Sequence, residues 1–68
     1  MWYKVTFDNN KANKAEEWRD EVPATFPTGK WYPTSQGKKV IEFIVVDANN
    51  ESDALSKAQE EAETLQSI

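Results

Sequence analysis

The chain has 68 residues, room for one domain, 1–68, near the lower size limit for a core that folds without a covalent or metal staple. With neither cysteine nor histidine it can form no disulfide, no thiolate or imidazole metal site, no cysteine nucleophile and no histidine-based triad. Twelve acidic against eight basic residues leave a net charge of −4, which opposes nonspecific attraction to phosphate backbones and anionic lipid. The hydrophobic fraction, 38%, is low, but three Trp, two Tyr and three Phe are enough to argue for a packed core rather than a disordered chain.

Trp2 to Asp8 alternates, with Tyr3, Val5 and Phe7 on one side and Trp2, Lys4, Thr6 and Asp8 on the other, which predicts a half-buried strand. Asn9 and Asn10 punctuate the chain. Asn13 precedes Glu16 at capping-box spacing, and Ala12, Ala15, Trp18 and Val22 recur at helical spacing. A short amphipathic helix over Lys11–Glu21 is therefore expected, stopped by Pro23. Val22 to Pro33 holds three prolines, a glycine and three aromatics, too irregular for a central strand, although Thr28 to Tyr32 fits a short edge strand.

Thr34-Ser35-Gln36-Gly37 has turn chemistry, and Lys38 to Val46 has the strongest strand signal in the chain. That strand is apolar on both sides, as suits the middle of a sheet. Asp47 to Asp53 supplies caps and first-turn acids for a helix whose Ala54, Leu55, Ala58, Ala62 and Leu65 form one stripe. On its outer face Asp53 with Lys57, and Lys57 with Glu61, are spaced for ion pairs.

These elements predict an α+β fold, a βαββα arrangement like a ferredoxin fold truncated by one strand, with a three-stranded sheet packed by two helices. In it a right-handed crossover sets the first and long strands parallel, and the first strand is an exposed sheet edge open to homodimer pairing. An antiparallel meander is the alternative if the residues after the first strand form a loop. The longest apolar run, Val40 to Val46, is interrupted by Glu42, and Met-Trp-Tyr-Lys-Val-Thr-Phe is too polar for a secretory signal, so a cytoplasmic protein outside the membrane is expected.

Asp47 to Asp53 has the oxygen-rich character of a calcium loop but lacks the central glycine and terminal glutamate, and helix capping accounts for it better. The carboxylate clusters Glu16, Glu17, Asp20, Glu21 and Glu60, Glu61, Glu63 suit solvated faces. Neither glycine lies in a phosphate-cradling motif, and no serine or threonine has a spaced base, so the expectation is a noncatalytic protein without cofactor or metal. Trp31, Tyr32 and Pro33, with Trp2, Lys4 and Lys30, are the candidate partner-binding residues, since rings on a loop dominate interface energetics.

The same loop, as Lys30, Trp31 and Tyr32 with Lys38 and Lys39, also has the composition that stacks bases of single-stranded nucleic acid, the alternative that the acidic charge disfavours. The strand running into a capped, alanine-rich helix resembles a pattern of small bacterial and phage α+β proteins. Short acidic chains of this style are similar to phage or mobile-element accessory proteins, which bind host proteins. The resemblance implies a regulatory or inhibitory protein-binding role.

Overall fold

The structure, a computed structural model, describes residues 1–21 and 29–67. They form β1 (Trp2–Asp8), β2 (Lys11–Glu17), β3 (Gly29–Pro33), β4 (Lys39–Asp47) and α1 (Glu51–Gln66). The four strands make one antiparallel sheet in the order β2-β1-β4-β3, with α1 packed on one face. The fold is α+β, but with four strands and one helix where three strands and two helices were expected.

The segment expected to be the first helix is a strand. Asn9 and Asn10 both take left-handed backbone conformations, φ 52° and 61°, and join Asp8 to Lys11 in a two-residue hairpin whose twist matches that of the strands. Asparagine tolerates this region better than most residues. Ala15 lies opposite Val5 and Ala12 opposite Phe7, with a bulge that makes Asn13 the extra residue. The bulge puts two core-facing alanines three residues apart, which is why the strand carried a helical spacing. Val22, Pro23 and Phe26, expected to end that helix and begin the irregular stretch, lie outside the described residues.

β1 pairs with β4 antiparallel, Val5 opposite Ile44, so the parallel crossover is overturned. With β2 on its other side, β1 lies inside the sheet, and the exposed first-strand edge proposed for homodimer pairing does not exist. β4 does sit centrally, and the short strand, described from Gly29, is the edge beyond it. Gly29 sits so close to β4 that a Cβ would collide with the Phe43 carbonyl oxygen and come within 2.8 Å of Ile44 Cα. The β3–β4 turn closes with Thr34 N–H donating to the Lys38 carbonyl (2.7 Å), and Gly37 takes the left-handed position at φ 79°.

α1 starts as its sequence predicts. Asn50 caps it by accepting from Asp53 N–H (2.8 Å), and the Asp53 carboxylate accepts in return from Asn49 N–H (3.1 Å). Ala54, Ala58, Ala62 and Leu65 are buried against Tyr3, Val5, Phe7, Ile44 and Val46. Small side chains on the helix let it approach a sheet face that supplies the bulk. Side chains also tie the layers together: Gln59 accepts from Ala12 N–H (2.9 Å), and Gln66 Nε2 donates to the Lys39 carbonyl (2.6 Å).

Candidate functional site

The structure does not gather the predicted binding residues into one patch. Trp31 lies opposite Ile41, half-buried and packed against the core on the helix side. Tyr32, its neighbour, points to the other face and is 47% exposed, and Pro33 is exposed beside it. Trp2 pairs with Asp47, whereas Tyr32 pairs with Val40, so these two rings sit toward opposite ends of β4, roughly 20 Å apart at strand rise.

The lysines are distributed in the same way. Lys30 forms an ion pair with Glu42 (3.2 Å), and Lys38 is exposed in the turn. Lys39 is a structural residue: its Nζ donates to the Leu65 carbonyl (3.0 Å), placing a cation at the end of a helix that has no basic residue in its last turn. Lys4 holds its Nζ 4.8 Å from the Phe43 ring centroid, and Trp18 stacks on that ring at 6.1 Å. This aromatic cluster lies on the sheet face away from α1. Trp18 was assigned to a helix stripe, and its approach to Phe43 follows only once β2 is recognised as a strand.

Trp2 has a second environment. Trp2 is 38% exposed and, opposite Asp47 and alternating with Tyr3, starts from the sheet face away from α1; it is also among the residues lining a groove of about 400 Å³ at the end of β4, with Val46 on the sheet side and Glu61 and Thr64 on the helix side. One carboxylate oxygen of Glu61, Oε2, is fully buried and has no hydrogen-bond partner. Burial without a donor raises the Glu61 carboxyl above its ordinary value. Lys57, one turn earlier, was expected to pair with both Asp53 and Glu61. It pairs with Asp53 (3.4 Å) and donates to the Asp47 carbonyl (2.9 Å), and no bond to Glu61 forms. The hydrogen bond from Asn49 N–H, followed by the charge and hydrogen bond of Lys57, holds Asp53 below its ordinary value despite an opposing desolvation effect.

The sequence reading places Glu61 on a solvated acidic face, paired with Lys57. The signal available in the sequence was its place beside the buried stripe, next to Ala62 and three residues after Ala58. Among the described residues no group of three or more acidic side chains could hold a metal ion, and Asp53 in the calcium-like segment is engaged in capping. No helix among them is long and apolar enough to cross a membrane. No family model matches the chain, and no curated protein or solved structure is similar to it.

Proposed function

We propose that this is a noncatalytic protein-binding module that engages and modulates another protein through the Trp2 end of the sheet, in the manner of a small phage or mobile-element accessory protein acting on a host protein. The observation that carries this reading is Trp2, a tryptophan left 38% exposed at the start of β1. A ring buried there by a partner contributes about 2–4 kcal/mol when it is central to the interface. Tyr32, at the far end, supplies a separate contact. Trp31 supports the fold instead, and its contribution to binding is indirect.

Affinity capture from the native host, followed by calorimetry with the recovered protein, tests the reading. Trp2→Ala should leave the melt nearly unchanged and remove binding, while Trp31→Ala should lower the melting temperature through loss of about 3 kcal/mol of packing. Oligonucleotide binding that collapses with added salt and persists in Trp2→Ala would favour the single-stranded nucleic-acid reading instead.

A further inference from the structure

We infer that the outer edge of β3 pairs with a second copy of this chain, the two β3 strands running antiparallel about a twofold axis at Trp31 and joining two sheets into one. The inference goes beyond the protein-binding reading above. Its basis is the direction in which the backbone of β3 faces.

On β4 the Ile41 N–H donates to Asn10 Oδ1 (3.1 Å) and the Lys39 carbonyl accepts from Asn10 Nδ2 (3.0 Å), so both residues turn these groups toward the β1 side. Their partners across the other ladder, Trp31 and Pro33, are therefore non-hydrogen-bonded members of the β3–β4 pairing and turn their own peptide groups out of the sheet. β3 ends the order β2-β1-β4-β3, and among the described residues nothing bonds to the Trp31 N–H or carbonyl. α1 packs on β1, β2 and β4 and stops short of β3, so the helix does not fill the space beside Trp31. The opposite edge is guarded: β2 has charged side chains at Lys11, Lys14, Glu16 and Glu17, a bulge at Asn13, and an Ala12 N–H already bound to Gln59.

Side-chain chemistry points to a second copy and selects its register. Centred on Trp31, each Trp31 N–H donates to the Trp31 carbonyl of the other copy, and the two rings lie side by side on the helix face. On the other face Lys30 of each copy stands opposite Tyr32 of the other, a cation beside an aromatic ring, twice over. A pairing centred on Lys30 would oppose two lysines. One centred on Tyr32 would set each Trp31 carbonyl against a proline, which has no N–H to give. The edge is short: five residues at about 3.4 Å each run about 17 Å, too little for the roughly 1,600 Å² of a standard stable interface, so the dimer is weak and depends on concentration.

Sedimentation equilibrium of the full chain from about 20 μM to about 2 mM should carry it from monomer to dimer and no further. The Trp31 amide should exchange rapidly in dilute solution and slow as the dimer forms. Tyr32→Lys, at a side chain 47% exposed, should keep the folded monomer's spectrum and weaken association about tenfold or more by opposing lysines twice. Adding Lys30→Glu to that variant should recover the dimer by opposing unlike charges, and Trp2→Ala should leave it unchanged.

A chain monomeric throughout the range, association beyond the dimer, or a Trp31 amide already protected in dilute solution would overturn the pairing. So would a dimer insensitive to Tyr32→Lys, and no recovery in the double variant would overturn its register. Loss of association in Trp2→Ala would move the contact to the other end of the sheet. A chain that stays monomeric while a captured host protein protects the Trp31 amide would assign the edge to a foreign strand and overturn the second copy.

Discussion

Asn10 does the work of a missing stretch of strand. The β1–β4 ladder ends with Thr6 opposite Phe43, and beyond it the Asn10 side-chain amide takes over, Nδ2 donating to the Lys39 carbonyl (3.0 Å) and Oδ1 accepting from Ile41 N–H (3.1 Å). An amide side chain reproduces the donor and acceptor of a peptide group, so β4 keeps its pairing past the turn. Asn10→Gly retains the left-handed backbone and removes both bonds, and it should cost about 1–3 kcal/mol in chemical denaturation. Glu61 is the opposite case, an acceptor without a donor. Its folded-state value is raised above 4.5, so the folded chain holds that proton more tightly, and stability is lost as pH rises from 4.5 through the folded-state value. Glu61→Gln should therefore melt higher than the parent at pH 7, with the difference shrinking toward acid pH. Asp53, lowered below 3.8, has the opposite sign: its stabilisation is present above that value and lost as pH falls through the folded-state one. Because Asp53 is common to both proteins, melts of the pair across pH isolate Glu61.

At the scale of elements, α1 and β4 were legible because each carries one dominant signal. Asn50 and Asp53 mark the helix start, the alanine stripe keeps its period for four turns, and β4 is apolar from Val40 to Val46 but for Glu42. β2 was not legible because its bulge at Asn13 sets Ala12 and Ala15 three apart, and the helical reading then concealed what Asn9-Asn10 specified locally. One misread hairpin had two consequences: β1 was placed at an edge, and the sheet lost a strand. The site was less legible than the fold. β4 has its own irregularity between the partners of Lys30 and Trp31, with Glu42 as the extra residue, so which neighbour of the Trp31-Tyr32 pair turns inward depends on a bulge in the facing strand. The helix orientation can be tested directly. Ala58 is fully buried, and Ala58→Glu places a charge where only a methyl group fits, at a cost on the order of 3 kcal/mol or more. Ser56→Glu, on the exposed side of the same helix, should change stability by no more than about 0.5 kcal/mol. Equal melts for the two variants would show that the stripe does not face the sheet.

For the molecule as a whole, apolar contact and charge contribute unequally to stability. The two central strands, distant in sequence, meet at Val5 and Ile44, cross-strand partners that are both fully buried. The ion pairs Lys14–Glu16, Arg19–Glu17, Lys30–Glu42 and Lys57–Asp53 lie at the surface, where each contributes about 0–1 kcal/mol. Sodium chloride screens those attractions, but it also screens the self-repulsion of a chain with net charge −4, so its two effects oppose one another. Raising the salt from about 0.05 to about 1 M, where the Debye length shrinks to about 3 Å, should therefore shift the unfolding free energy by less than about 1 kcal/mol. Ile44→Ala should cost about 2–5 kcal/mol at either salt concentration, because it empties space at the centre of the sheet. Val5→Ala combined with it should depart from additivity by about 0.5 kcal/mol or more, since the two side chains share one contact. A salt effect as large as the Ile44→Ala cost would mean that surface charge, rather than the β1–β4 pairing beneath α1, holds this fold together.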